Sequence, residues 1–288
     1  MSEEKKKARF SIEFEVSLCL TLEEEISVDL PDASKIILHA TSSSTNTGEI
    51  ILKLDKPDFL QAHTKGREKI RDFLRALLIA TNSIYMKELK FKKPRLLNEI
   101  DFSGEVKTGF VDFSVNCVIA RRLESEKLFQ TSNILSKVRD MQEIEQDILY
   151  TTLFLYEKGC QSEKVEQFIF WWISFESLVR LHGKRKDFLK IYLKPASQSV
   201  FNKRKKVIEA LSNMNLIDRQ GNNRSEKLRE KLHKSKSHYT AILIKAVYCI
   251  AEIRNKLLHE GEMDVDLIYS CALLLADIIC ESIKEYLV

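Results

Sequence analysis

An arginine and a histidine near the C-terminus are the side chains best suited to chemistry on a phosphate. Arg254 and His259 are five residues apart, between two apolar segments with helical spacing. Arg254 falls in the apolar sector of its helix, and because a guanidinium keeps its charge it needs a carboxylate, a phosphate or a solvent-lined cleft. Gly261 is a helix-stop signal, so His259 lies in the last, fraying turn and can swing toward the same cleft. A phosphate-binding cation beside a titratable imidazole is the minimum needed to cleave RNA without a metal.

Two stretches in the second half of the chain carry a family pattern. In residues 254–262 an asparagine directly follows the arginine, and a histidine and a glycine come soon after. Residues 168–179 form an apolar helical segment with an aromatic residue shortly before Glu176. Together they resemble the HEPN superfamily (higher eukaryotes and prokaryotes nucleotide-binding), in particular its Apea-like branch. The resemblance covers about residues 140–288.

The resemblance implies an all-α bundle that dimerises and, in active members, cleaves RNA without a metal. Arg and His from both protomers then line one cleft, and the products carry 2′,3′-cyclic phosphate and 5′-hydroxyl ends. In that scheme His259 is the general acid or base, Arg254 stabilises the phosphorane, and Asn255 orients the substrate or the imidazole. Related proteins act as toxins or in antiviral defence. The alternative is an inactive HEPN-like module for dimerisation and for binding nucleic acid or nucleotide.

Glu176 is predicted to support the site. The helical wheel places it between Val165, Ile169 and Trp172, so its carboxylate should have little water around it. Two opposite charges in apolar helices are most simply explained as partners, which predicts an ion pair between Glu176 and Arg254. The alternative is that Glu176 reaches solvent through a gap in the packing.

The segment from Arg180 to Thr240 is strongly basic. It holds 17 Lys or Arg against 5 Asp or Glu, a net charge of +12 in a chain whose total is +4. Such a segment suits a polyanion such as RNA, although it would equally form a solvated helix surface neutralised by the more acidic N-terminal half. The residues predicted to bind RNA are Lys184, Arg185, Lys203, Arg204, Lys205 and Lys206.

The first 120 residues show the alternation of apolar and polar side chains that is typical of β-strands. Every second residue from Phe10 to Leu22 is apolar, which predicts one long, half-buried strand. Shorter strand-like runs occupy residues 35–41, 49–55 and 108–119. Pro57 opens a helical pattern whose apolar side consists of Phe59, Leu60, Ile70, Phe73, Leu74, Leu77 and Leu78. These patterns predict an antiparallel sheet with one main helix.

The rest of the chain reads as helical, so the predicted fold class is α+β. The predicted domains are a β-rich regulatory or targeting domain over residues 1–123 and an all-α, HEPN-like bundle over residues 124–288. Residues 124–157 are helical and fit either domain. Ser162 and Asp264 are predicted to cap the N-termini of two helices.

Composition indicates a compact protein of two ordinary domains, with 44% hydrophobic and 31% charged residues. No apolar run reaches the roughly 18 residues that cross a bilayer, and the N-terminus lacks the apolar core of a secretory signal. The six cysteines are scattered and are predicted to be buried thiols in a reducing compartment. We therefore expect a cytoplasmic protein without metal or cofactor. Its expected partners are RNA, a second copy of itself, and an antitoxin or regulatory protein.

Overall fold

The computed structural model divides the chain into two compact units, residues 1–139 and 140–288. The first unit contains an antiparallel sheet and the second is helical, so the α+β fold class is confirmed. The residues that the structure describes are 8–43, 45–97, 121–193, 197–234, 238–261 and 264–287.

The first unit is built on a six-stranded sheet in which every paired strand is antiparallel. Its order is β3-β4-β5-β1-β6, and β7 also pairs with β1. A separate pair, β2 with β8, is parallel. The strands are β1 Ala8–Ser17, β2 Leu20–Thr21, β3 Ile26–Asp29, β4 Lys35–Leu38, β5 Thr45–Leu54, β6 Lys87–Phe91, β7 Arg95–Leu97 and β8 Arg121–Arg122.

The long strand predicted from Phe10 to Leu22 is interrupted. β1 ends at Ser17 and β2 begins at Leu20, because Cys19 adopts a left-handed backbone conformation with φ 52°. The alternation nevertheless points the apolar side chains inward, as predicted, and all seven of them are buried. The strand predicted at 108–119 lies outside the described residues.

One long helix, α1 (Phe59–Thr81), packs on this sheet. Its cap is Asp58, whose Oδ1 accepts a hydrogen bond from the backbone N–H of Gln61 at 2.9 Å. The two residues predicted to begin its apolar face, Phe59 and Leu60, are 51% and 77% exposed, because the buried face starts only at Ala62. A second helix, α2 (Ser125–Arg139), packs against α1. The boundary between the two units therefore lies after α2, at residue 139, whereas the predicted boundary at residue 123 lies before α2.

The cysteines do not all match the prediction. Cys160, Cys249, Cys271 and Cys280 are buried thiols, and burial is the largest of the effects that raise the pKa of the last three to about 12. Cys19 is disulfide-bonded, so the prediction of a free thiol is wrong there.

The second unit is a helical bundle with α4 at its centre. Helix α4 packs against α3 and α9 and buries Phe168, Trp171 and Phe175 completely, which agrees with its apolar sequence. The helices are α3 Glu143–Gln161, α4 Lys164–Val179, α5 Arg185–Tyr192, α6 Ser197–Asn213, α7 Arg224–Lys234, α8 Tyr239–Glu260 and α9 Val265–Leu287.

Two predicted helix caps in this unit have different outcomes. Asp264 caps α9, because its Oδ1 accepts hydrogen bonds from the backbone N–H groups of Asp266 at 2.9 Å and Leu267 at 3.2 Å. Ser162 does not cap α4, since Glu163 occupies the N-cap position and Ser162 ends α3.

Candidate functional site

The arginine and the histidine both lie in the last two turns of α8. The helix continues to Glu260 and stops at Gly261, which has φ 71°, so the predicted stop signal is confirmed. Because the last turn is helical, Arg254 and His259 point about 140° apart, and no contact between them is found among the described residues. The side chain of Arg254 is 34% exposed and that of His259 is exposed. Leu258, in the same last turn, is 58% exposed.

Arg254 is held against α4 and against its own neighbour. Its guanidinium lies over the indole of Trp172, with 5.7 Å between the carbon and the ring centroid. Its Nη1 donates to Oδ1 of Asn255 at 2.8 Å, and Nδ2 of Asn255 donates to Oε2 of Glu252 at 3.3 Å. Asn255 therefore orients Arg254 and does not contact the imidazole in this arrangement.

Glu176 is more exposed, and paired differently, than its sequence position predicts. Its side chain is 37% exposed, so the prediction of a carboxylate with little water is wrong. Its nearer partner is Arg185 at the start of α5, whose Nη2 donates to Oε1 at 2.6 Å. Nη2 of Arg254 is 3.9 Å from the other oxygen. One carboxylate thus bridges two guanidiniums, and both guanidiniums lie over the same ring of Trp172.

His259 has a partner that the sequence analysis missed. Nη2 of Arg219, in the loop between α6 and α7, is 3.3 Å from Nε2 of His259. A guanidinium can only donate, so a hydrogen bond between the two requires the tautomer in which Nε2 of the imidazole accepts. The contact joins two exposed side chains that are 40 residues apart in the chain.

The loop that carries Arg219 is pinned by Asp218. Oδ1 of Asp218 accepts hydrogen bonds from the backbone N–H groups of Gln220 at 3.0 Å and Asn222 at 2.8 Å, and Arg224 pairs with Oδ2 at 2.5 Å. Desolvation alone would raise the pKa of Asp218, but these hydrogen bonds and the charge of Arg224 lower it. The sequence signal for this turn is an aspartate followed three residues later by glycine.

A stripe of polar side chains runs along α8 beside this site. Its residues are spaced by three or four positions, so they share one face of the helix. Arg185 and Arg224 lie over the ring of Tyr248 at 5.8 and 5.2 Å, and Nε of Arg224 is 3.9 Å from Oε1 of Glu252. The stripe consists of Lys245, Tyr248, Glu252, Asn255 and His259.

Two of the predicted RNA-binding residues have a structural partner instead. Lys203 and Arg204 pair with Asp277 of α9 at 2.5 and 2.6 Å, and the carboxylate side chain is only 4% exposed. The backbone leaves helical geometry at Arg204, with φ −118° and ψ 18°. Both cations neutralise a buried charge, so their positions have a structural reason that does not depend on RNA. Lys205 pairs with Glu209 at 3.6 Å and is exposed.

The remaining predicted RNA-binding residues lie on the surface or in the site. Lys184 and Lys206 are exposed, whereas Arg185 is half-buried and belongs to the cluster around Trp172. Among the cations at the polar stripe, Arg219 and Arg224 belong to the predicted basic segment but not to the named RNA-binding residues, and Lys245 lies outside that segment. They come from three different elements, which no local pattern connects.

Comparisons of the chain with protein-family models, with curated proteins and with solved structures find no match. In the part of the chain that the structure describes, no group of three or more His, Cys, Asp or Glu side chains is arranged to hold a metal ion. Within that same part, no helix is both long and apolar enough to cross a membrane.

Proposed function

We propose that this protein is a metal-independent endoribonuclease of HEPN type, with its active site at the end of α8. The observation that carries the proposal is the contact between Arg219 and Nε2 of His259, at the same end of α8 as the partly exposed Arg254. The imidazole is exposed, and its Nε2 can accept a proton from the substrate once Arg219 turns from it to the phosphate. Arg219 at the imidazole and Arg254, five residues before His259 on α8, are guanidiniums that suit a phosphate that gains negative charge.

The reaction that fits these groups is transesterification within RNA. A 2′-hydroxyl loses its proton to an imidazole and attacks the adjacent phosphorus, and the bond to the 5′-oxygen breaks as that oxygen receives a proton. The products are a 2′,3′-cyclic phosphate and a 5′-hydroxyl. In this scheme His259 transfers the proton, Arg254 and Arg219 stabilise the phosphorane, and Asn255 keeps Arg254 in place.

One imidazole is few for a reaction with two proton transfers, since one proton leaves the 2′-oxygen and another reaches the 5′-oxygen. A two-fold dimer would bring two copies of His259 to one cleft, one as base and one as acid. Two exposed apolar side chains flank the contact between Arg219 and His259 in sequence: Ile217 is 47% exposed and Leu258 is 58% exposed. Apolar residues beside a polar site are what such an interface would bury.

The dimer gives a first prediction. The protein should have twice the mass of the 33.5 kDa chain in light scattering at micromolar concentration, and Leu258→Arg should reduce it to the monomer by placing a charge in the interface. Ile144→Arg is the matched control, because Ile144 is also an exposed aliphatic residue, 76% accessible, but lies on α3. A wild-type monomer, or a Leu258→Arg dimer, would contradict this interface.

The competing function is a binding module in which the arginines serve structure alone. It is favoured by the contacts of Arg254 with Trp172, Asn255 and Glu176, which could hold the charge without a substrate. Incubation of the purified protein with single-stranded RNA in excess EDTA separates the two. The proposal expects cleavage. Binding of RNA without cleavage under these conditions would favour the module.

The N-terminal unit and other partners belong to the same proposal. We expect the sheet-containing unit to regulate or target the nuclease, in a cytoplasmic toxin or antiviral system, where an antitoxin or regulatory protein would restrain it. Without its antitoxin or regulatory protein, the full-length wild-type chain should harm the cell that expresses it. The His259→Ala chain should be tolerated under the same conditions.

A further inference from the structure

Basic side chains converge near the middle of α8, away from His259. Arg224 lies over Tyr248, and Lys245 is three residues before that tyrosine on the same helix face. Desolvation is the largest effect that lowers the pKa of Lys245, and the charges of Lys227, Arg224 and Lys186 lower it further. Helices α5 and α7, which carry Lys186, Lys227 and Arg224, both pack against α8.

Carboxylates do not balance this cluster. Arg224 is paired with Asp218 at 2.5 Å and lies 3.9 Å from Glu252. By contrast, the structure records no ion pair for the three lysines with any carboxylate of the described residues. Among the described residues, the one hydrogen bond that these lysines make is from Nζ of Lys227 to the neutral Oδ1 of Asn222, at 2.9 Å. The three lysines thus hold positive charge that only a bound anion or bulk counterions can compensate.

The position of the cluster defines the shape of that anion. Lys245 precedes His259 by 14 residues on one face of a continuous helix, which corresponds to about 21 Å along the axis. The side chains between them on this face are polar. An anion that contacts both ends must therefore be extended, with negative charge at each end, and it must pass the carboxylate of Glu252, which faces Arg224.

We propose that Lys186, Lys227, Lys245 and Arg224 form a second phosphate-binding subsite, which takes the backbone of a single RNA strand several nucleotides away from the bond at His259. The identification of the anion as RNA rests on the proposed ribonuclease function. The subsite binds phosphodiester groups and does not read bases, because its members are cations that contact phosphate regardless of sequence. Substrate length, rather than sequence, then sets affinity.

The test measures binding without cleavage, by fluorescence anisotropy of labelled 2′-O-methyl oligoribonucleotides, in which the attacking hydroxyl is blocked. Wild-type protein should bind an eight-nucleotide oligomer (the octamer) far more tightly than a dinucleotide. Lys227→Met with Lys245→Met should weaken octamer binding by at least about tenfold, because charged contacts are lost, and leave the dinucleotide unchanged. The salt dependence, log K against log salt concentration, should become shallower by about 0.7 per lost phosphate contact.

The matched control is Lys190→Met with Lys234→Met, which removes two exposed lysines from the same basic segment. It should leave octamer binding within about threefold of wild type, since only diffuse attraction is lost. Lys245→Met alone, with an unchanged circular dichroism spectrum, checks that weaker binding is not unfolding. The subsite is overturned if the control pair weakens the octamer as much as the Lys227 and Lys245 pair. It is equally overturned if ATP or a dinucleotide binds the wild type as tightly as the octamer.

These outcomes are separate from the fate of the ribonuclease proposal. A protein that binds the octamer through Lys227 and Lys245 but leaves unmodified RNA intact in EDTA keeps the subsite and loses the nuclease. A protein that cleaves RNA with the same efficiency at all lengths, with and without the two lysines, keeps the nuclease and loses the subsite.

Discussion

His259→Ala is expected to lower the rate of RNA cleavage in EDTA by about 10²–10⁴-fold, the usual contribution of a positioned general acid or base. Its loss should leave the fold unchanged, because the imidazole is exposed near the end of α8 and its recorded contact is with the exposed Arg219. Single-turnover cleavage of a labelled oligoribonucleotide measures the rate, and thermal unfolding measures the stability of the same samples.

His233→Ala is the matched control for that experiment. His233 is also exposed and lies at the far end of α7 from Arg224. Its removal takes away the same side chain at a different place, so the rate should stay at the wild-type value. Equal rates for the His259 variant and the wild type would remove His259 from the mechanism and leave the binding module as the better account.

Arg254→Ala should also abolish cleavage, but at a small cost in stability. The sequence alone predicts a cost of about 3–5 kcal/mol, because removing Arg254 would strand a buried Glu176. In the structure Glu176 keeps Arg185 at 2.6 Å and is 37% exposed. The expected cost is therefore about 1 kcal/mol or less, as for exposed ion pairs.

The largest loss of stability is expected from the combined variant Lys203→Met and Arg204→Met. It leaves the carboxylate of Asp277, whose side chain is 4% exposed, without either of its cations. Breaking a buried charge pair costs on the order of 3–5 kcal/mol. Urea unfolding should show the loss as a lower midpoint with an unchanged slope.

Two further variants isolate the cause. Lys205→Met with Lys206→Met removes the same two charges from exposed positions on α6 and should change stability by less than about 1 kcal/mol. Adding Asp277→Leu to the destabilised variant should restore most of the lost stability, because an apolar group replaces the stranded charge. If the two double variants lose the same amount of stability, pairing with Asp277 is not the reason why Lys203 and Arg204 stabilise the fold.

Local signals in the sequence predicted the frame of the site well. Gly261 ends α8 and Asp264 caps α9 because each acts on backbone groups within a few residues. The apolar pattern of α4 likewise predicted a central helix. In the first unit, alternation predicted β1, while the break at Cys19 came from a backbone conformation that alternation does not encode.

The partners of the charged side chains were not predictable in the same way. Glu176 takes Arg185 rather than Arg254 as its nearer partner because α5 starts beside α4 after a turn, which the helical wheel of α4 alone does not represent. The contact of Arg219 with His259 links a loop to a helix 40 residues later. A basic run also does not reveal which of its cations face a buried carboxylate, as Arg204 does.

The most direct measurement is of the chemical ends that the protein leaves on RNA. A defined oligoribonucleotide is incubated with purified protein in excess EDTA, and the fragments are analysed by mass spectrometry. We predict a 2′,3′-cyclic phosphate on the upstream fragment, a 5′-hydroxyl on the downstream fragment, and no cleavage where the scissile nucleotide is 2′-deoxy. Fragments with 5′-phosphate and 3′-hydroxyl ends, or cleavage at the 2′-deoxy position, would contradict attack by the 2′-hydroxyl and with it the proposed role of His259.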